Sequence, residues 1–398
     1  MSTYWLVATG YSKSKGLDET TAAAFSSALK SRIKDLCEPA KPPCNFDVPV
    51  GENALKFGSF DDLIRLTDEL QKYDSQVESV IRRLERLLVE LDPNAGSAPM
   101  ETFKVLSQRQ WYSFDKYIAT WKWDEAKYPK MRGLSNNLNS LLTTVNQLDE
   151  AARNKTTSFN ELKSQQGNIA KKDSGSLVSR DLIDILTPEN IVADNDEESD
   201  FVETEYLTTV ILVVQGGATE KFFLDNYEYW SEKVLPMSAK KLADEEGYGL
   251  WRVICFKSAA EAFKKKARDE KYVVRDFTYS AAKYDALQAQ REELKKEYEK
   301  MDKNMKGFCK ASWSDCMVAW VHIKAMRVFV ESVLRYGVPP KFVSYLIQPK
   351  PSTTPQLRTV LADTLGGGAK SGGKVEGEDE DYYPYVSLSF TPFSTKSA

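Results

Sequence analysis

Three apolar seams dominate what this 398-residue chain can fold into. Between positions 61 and 91, Leu63, Leu66, Leu70, Tyr73, Val77, Val80, Leu84, Leu87 and Leu91 follow one another in alternating steps of three and four. That spacing lays one apolar stripe along a helix, which Asp92, Pro93 and Gly96 bring to an end. A second seam runs through Met131, Leu134, Leu138, Leu141, Val145, Leu148, Ala152, Phe159, Leu162 and Ile169, with polar Lys155 and Gln166 in two slots. A third uses Tyr284, Leu287, Leu294, Tyr298, Met301, Met305 and Phe308, with Arg291 in an apolar slot. A helix starting at Lys116 and kinked at Pro129 would run about 85 Å at about 1.5 Å per residue. Helices of that length do not stand alone in water, so the second and third stretches are expected to pack antiparallel as a stalk.

The residues between the two arms differ in character. Positions 206–215 (YLTTVILVVQ) read as a buried strand rich in β-branched residues. Positions 219–235 carry Phe222, Phe223, Tyr227 and Trp230 at helical spacing, and Pro236 follows. A second strand at 248–256, a second helix at 259–268 and a third strand at 272–278 complete a small sheet with helices on one face. The preceding stretch 189–205 holds eight acidic residues and no basic one, as a solvated loop would. Both chain ends carry strand patterns, at 3–9, 342–348 and 385–390. A stalk returns the chain to where it left, so the two terminal thirds are expected to share one domain. Between the last two strands, 349–381 is rich in Pro, Gly, Ser and charge and is expected to be disordered. The fold class is α+β.

Charge and rare residues remove several functions. With 54 Lys+Arg against 58 Asp+Glu and a net charge of −4, the chain lacks the basic field that phosphate-tracking proteins need. Its single histidine, His322, rules out a multi-histidine zinc site and is the one candidate for a His-dependent general base. The apolar run at 207–214 is eight residues long, far short of the roughly 20 that span a bilayer. The start of the chain lacks a basic n-region and does not read as a signal peptide. Cys37, Cys44, Cys255, Cys309 and Cys316 include no C-x-x-C pair, which suits reduced structural thiols in the cytosol.

Local motifs divide between chemistry and packing. Gly368, Gly373 and Lys374 have the spacing of a phosphate-binding loop, but Val375 follows where Ser or Thr is needed and no strand precedes. A flexible linker explains them better. His322 lies in a stretch, 313–336, that is apolar all round with Lys324, Arg327, Glu331 and Arg335 interleaved. A central packing helix with internal ion pairs accounts for this better than a catalytic site, and Glu331 is spaced to bridge Arg327 and Arg335. Lys264, Lys265, Lys266, Arg268, Lys271 and Arg275 form a basic cluster suited to an acidic partner helix, an acidic lipid surface, or water alone. Trp111, Tyr112, Phe114, Tyr117, Trp121, Trp123 and Tyr128 are dense, but Asp115, Asp124 and Glu125 dilute the lysines among them, so packing is expected rather than base stacking.

Several phrases then line up with one family. They are WDEAKYP at 123–129, Lys171-Lys172 followed by Gly175-Ser-Leu177 and Arg180-Asp-Leu182, Arg275-Asp-Phe277, and YYPYV at 382–386. The most specific is AWVHIKAMRVFVESVLRYGVPPKF at 319–342. In this order, across nearly the whole chain, they resemble the C subunit of the vacuolar-type proton-pumping ATPase (V-ATPase).

The resemblance implies an elongated dumbbell in which a long antiparallel two-helix coiled-coil neck joins two small α+β globular domains. On this sequence the foot would take 1–115 and 313–398, the ascending neck helix 116–175, the head 176–279 and the descending helix 280–312. It implies a non-catalytic stator component with no cofactor, joining peripheral stalks made of the E and G subunits to the cytosolic N-terminal domain of the membrane-bound a subunit. It also implies reversible sector assembly, actin binding in some members, and a place on the cytosolic face of vacuolar or endosomal membranes reached only through the complex. The basic cluster at Lys264, Lys265, Lys266, Arg268, Lys271 and Arg275 is the candidate partner contact. From the residues alone, the rival reading is a coiled-coil scaffold or actin-binding adaptor outside any ATPase.

Overall fold

The computed structural model of the chain describes residues 3–12, 16–97, 99–173, 176–178, 180–186, 201–277, 281–366 and 383–393. In chain order, β1 (Tyr4–Gly10), α1 (Ala22–Ile33) and β2 (Cys44–Asn45) lead into α2 (Phe60–Leu91). The hairpin strands β3 (Lys104–Ser107) and β4 (Gln110–Ser113) precede α3 (Phe114–Ala119) and α4 (Leu134–Asp173). Then come α5 (Leu182–Ile185), β5 (Leu207–Gln215), α6 (Ala218–Asn226), β6 (Lys240–Glu245), β7 (Tyr248–Phe256), α7 (Lys257–Asp269) and β8 (Val273–Arg275). The chain closes with α8 (Ala281–Tyr336), β9 (Phe342–Ile347), α9 (Thr354–Leu365) and β10 (Val386–Phe390). It divides into two compact units, Met1–Thr156 with Asp302–Ala398, and Thr157–Met301. The mixed helix and sheet content is that of an α+β fold.

In the first unit, the three strands read at the chain ends pair directly, in the antiparallel order β10-β1-β9-β2. β1 is buried along its whole length, and its period of two divides it between two cores. Tyr4, Leu6 and Ala8 face α2 and α8, whereas Trp5 and Val7 face α1 and α9. Helix α9 corrects the expectation of disorder over 349–381. A Pro/Thr-rich start hides the helical spacing of Leu357, Leu361 and Leu365, all buried against the sheet. Residues 367–382 lie outside the described residues.

Helix α2 begins at the position its sequence pattern marks, with a capping box. The Asp62 backbone N–H donates to the Ser59 hydroxyl (3.2 Å), and Asp62 Oδ2 accepts from the Ser59 N–H (2.8 Å). Its buried stripe starts on the expected heptad positions and then drifts to Asp74, Ile81, Glu85 and Leu88, leaving Tyr73, Leu87 and Leu91 half-buried. An α-helix rotates about 20° per heptad relative to a strict seven-residue repeat, which produces this slip. The slip carries two carboxylates into the core. Asp74 Oδ1 accepts from Trp320 Nε1 (2.6 Å), and its Oδ2 takes Lys324 Nζ (2.8 Å) and Arg327 Nη1 (2.5 Å). Glu85 accepts from Trp313 Nε1 (3.3 Å) and pairs with Arg82, whose guanidinium also reaches the carbonyls of Thr391 and Pro392. The spacing of Glu331 suggests a bridge between Arg327 and Arg335; Arg327 does pair with Glu331, at 3.9 Å, while its shorter contact is to Asp74.

The long helix does not start near Lys116. Residues 120–133 are non-helical apart from a 3-10 turn at Lys130–Arg132, because Trp121, Trp123 and Tyr128 turn inward and Gly133 adopts a φ of +87°. The 40 residues of α4 therefore run about 60 Å and the 56 of α8 about 84 Å, at about 1.5 Å per residue. Met131, a member of the second seam by spacing, is 70% exposed.

The second unit holds an antiparallel sheet in the order β6-β7-β5-β8. Helices α6 and α7 cover one face through Phe223 and Phe263, while Leu177, Leu182, Ile185 and Leu186 cover the other. The edge strand β6 is an addition to the expected three strands, hidden by its charged sequence. It pairs with β7 across Glu246 and Gly247, both at positive φ as a tight hairpin demands. Within this unit, Tyr284, Leu287, Arg291, Leu294, Tyr298 and Met301 of α8 are half-buried at the steps of the third seam, and Tyr298 stacks on Phe159 of α4 at 5.4 Å.

Removal of the Asp74 carboxylate alone is expected to be costly, because it leaves buried cations without their partner. Asp74→Ala strands Lys324 and Arg327 and should cost about 3–5 kcal/mol in urea denaturation. Combining it with Lys324→Met and Arg327→Met should recover most of that loss. A cost below about 1 kcal/mol for Asp74→Ala would refute the role.

Candidate interaction site

The basic cluster lies in the second unit on α7 and the turn into β8. Ala259, Ala260, Phe263 and Ala267 form the buried stripe of α7, so the intervening cations face outward. They are not equivalent. Lys264 pairs with Asp276 (2.9 Å) and Glu261 (3.2 Å), and Lys266 with Glu270 (2.8 Å). The hydrogen bond from Lys264 holds the Asp276 carboxyl below its usual range, and the same bond raises the lysine. Arg275 is spent on the fold. Its guanidinium donates to the carbonyls of Leu177 (2.9 Å), Val178 (2.6 Å) and Arg180 (2.7 Å), pinning the segment that covers the sheet's second face. Lys265, Arg268 and Lys271 are exposed and have no carboxylate at ion-pair distance among the described residues.

In the first unit, the aromatic-rich stretch wraps His322. The ring is buried against Trp121 (5.3 Å), Trp123 (5.1 Å) and Tyr128 (4.9 Å). Its Nε2 accepts from the Asp124 backbone N–H (3.2 Å), which leaves Nδ1 to donate to the Val318 carbonyl (2.7 Å). Both partners are satisfied only by the neutral Nδ1–H tautomer. Burial accordingly pulls the imidazole pKa down to about 4. A neutral, doubly bonded ring packs a loop against α8; it has no free nitrogen with which to move a proton.

Beside this box opens a cleft of about 740 Å³ between the β3–β4 hairpin, α3, residues 120–127 and α8. Gln108, Gln110, Tyr112, Lys116, Lys122 and Lys127 are among its lining. The aromatic density at 111–128 reads as packing, and for Trp121, Trp123 and Tyr128 it is. The cleft has no signal in that pattern, because hairpin and loop meet only in the folded chain.

The other candidates are the cysteines, metal-ligand clusters, the glycine-rich stretch and the acidic stretch. Burial pushes the Cys37, Cys255 and Cys309 thiols up to about 11 and Cys316 to about 12, away from the reactive thiolate. No group of three or more His, Cys, Asp or Glu is arranged to hold a metal among the described residues. Gly368, Gly373 and Lys374 lie outside them, as does most of the acidic stretch 189–205. No described helix is long and apolar enough to cross a membrane.

Comparison with known proteins points in one direction. The family profile described as that of the V-ATPase C subunit matches residues 4–386. The chain is 35% identical over 339 residues to the C subunit of the V-type proton ATPase of Dictyostelium discoideum, covering 84% of this chain and 87% of that one. It is 32% identical over 350 residues to the 1-B form of the same subunit in Danio rerio, covering 86% and 87%. A match to the V-type proton ATPase C subunit of Manduca sexta extends over 400 residues at 31% identity and 97% of each chain.

The buried histidine makes stability depend on pH. Its folded pKa of about 4 lies below the unfolded value of about 6.5, so between these limits the unfolded chain binds more protons. Stability should therefore fall as pH drops through that window, with His322 accounting for up to about 3 kcal/mol. Chemical denaturation of the wild type and of His322→Phe at pH 7.5 and pH 4.5 checks this. The wild type should lose more than the variant, and equal losses would contradict it.

Proposed function

Because the chain belongs to the C-subunit family of the V-ATPase, whose members are accessory components of a proton-transporting ATPase, we propose that it acts as a non-catalytic stator connector. In this reading it joins peripheral stalks of the E and G subunits to the cytosolic N-terminal domain of the membrane-bound a subunit, peripheral to the membrane and on its cytosolic side. The observation that carries it is the family match across residues 4–386, which takes in both compact units rather than one. A foot from both chain ends, a helical neck and an inserted head is the division that suits such a connector. Long helices such as α4 and α8, of 40 and 56 residues, are the kind of element that a torque-bearing link requires. Reversible assembly asks for polar interfaces of moderate size, and the exposed cations of α7 fit that demand.

A pull-down of the tagged full chain, with mass spectrometry of its companions, tests the reading. The E, G and a subunits should come with it; recovery without any ATPase component would overturn it. Within that assembly, Lys265→Glu with Arg268→Glu and Lys271→Glu should reduce retention of the E and G subunits about tenfold and make it less sensitive to salt. Lys264 and Arg275 are left alone in this variant because their partners are internal. Unchanged retention would remove α7 from the interface.

A further inference from the structure

The cleft beside His322 has the makings of a protein-docking site, and its hairpin wall is the first indication. Ser107 and Gln110 close β3 and β4 through a two-residue turn, Gln108 and Arg109, at φ values of 50° and 63°. Positive φ at both positions favours Asn or Gly, since a Cβ is crowded there. The chain nevertheless keeps two long polar side chains. Gln108 lines the cleft, and Arg109 is exposed at the tip. The tight hairpin thereby holds two long polar side chains at the surface.

The charge of the cleft is the second indication. Its two carboxylates are hydrogen-bonded within the chain and keep their charge, against three lysines in the lining. Asp124 Oδ1 accepts the backbone N–H groups of Ala126 and Lys127, and Glu125 takes the N–H and Nζ of Lys130. The hydrogen bond from the Lys130 backbone holds Glu125 below its ordinary value. The lysines are not matched in this way. Lys122 is exposed with no carboxylate at ion-pair distance among the described residues, and Lys116 lies 5.2 Å over the Tyr112 ring. Lys127 meets Asp315 only at 3.9 Å with both side chains half in solvent.

The rim is the third indication. Leu106 lines the cleft, and Trp111 is its cross-strand neighbour outside the lining; the two are 43% and 50% exposed. A small anion has no use for an apolar rim. A protein partner does, because an exposed tryptophan beside arginine is the kind of anchor that dominates interfaces. The hairpin is also held rigidly, since the Leu106 N–H donates to Ser314 Oγ of α8 (2.8 Å).

We propose that this cleft docks an acidic segment of a partner protein. Carboxylates of that segment would meet Lys116, Lys122 and Arg109, and an apolar side chain would cover Leu106 and Trp111. The inference rests on the chain's place in the assembly proposed above, and goes further by naming a surface of the first unit and the chemistry of its occupant.

A photo-crosslinking residue, p-benzoylphenylalanine, in place of Gln110 tests it in the full chain within the purified ATPase. Adducts are expected on another protein of the complex, within a stretch rich in Asp and Glu. Lys116→Glu with Lys122→Glu should lower their yield about tenfold, and Lys116→Arg with Lys122→Arg should preserve it. Gln108→Asn with Arg109→Gly should raise the melting temperature while lowering the yield, a combination that a purely structural turn would not give. Adducts on a neutral or basic stretch, no adducts with another protein, or a yield indifferent to charge reversal would each overturn the proposal. If adduct yield instead falls on adding millimolar inorganic phosphate but not an Asp/Glu peptide of equal charge, the site takes a free anion and the proposal fails. Loss of co-purification would strike the stator reading itself, whereas these outcomes are read on a chain that still assembles.

Discussion

The carboxylate of Asp74 is the constraint around which the first unit is arranged. A buried charge is costly to remove from water and is tolerated only when it is paired and hydrogen-bonded. Asp74 meets that demand with Trp320, Lys324 and Arg327, all on α8. Lys324 also lies over the Trp320 ring at 4.5 Å and near Phe390 of β10, so the site ties α2, α8 and the last strand together. Burial lowers the Lys324 pKa and Asp74 opposes that shift, as expected of a cation kept inside by its partner. A sliding α2 would leave these charges unmatched. The network therefore sets register more than it adds stability.

Glu85 repeats the arrangement farther along. It takes Trp313, which precedes Trp320, as α2 advances from Asp74 to Glu85, so the two helices run antiparallel with a polar anchor at each point. Arg82 extends the second anchor to the carbonyls of Thr391 and Pro392, and Phe393 stacks on Trp313 at 5.8 Å. Residues 391–393 are thus held to α2 and α8. The period-two alternation of β1 gives the sheet a core on each face, one shared with α2 and α8 and one with α1 and α9. His322 adds a third tie on α8, fixing 121–128 beside the hairpin and so shaping the cleft.

Much of this is legible in the sequence because apolar periodicity survives without any partner in view. The seams at 63–91, 131–169 and 284–308 and the strands at the chain ends report a local repeat, and each forms a helix or strand, with Met131 left outside α4. Where tertiary context outweighs local signal, the pattern misleads. The Pro-led start of α9 and the charged face of β6 disguise elements stabilised by a sheet contributed from elsewhere in the chain. Trp121 and Trp123 pull 120–133 out of helix for the sake of contacts with His322, which stands 198 residues beyond Asp124.

The sequence by itself determined that the chain is built on long amphipathic helices with a small α+β insertion, and that it resembles the C-subunit family. Those properties depend on local spacing and on short phrases that need no fold to be seen. Only the tertiary structure decided which charges are available. Lys264 and Arg275 look equal to Lys265, Arg268 and Lys271 as a run of cations, yet the first two are engaged by Asp276 and by backbone carbonyls. Lys116 and Lys122 look diluted by Asp124 and Glu125, yet those acids are turned toward their own backbone. Charge counts along a chain ignore distance in the fold, and a charge acts most on the groups that folding brings nearest to it.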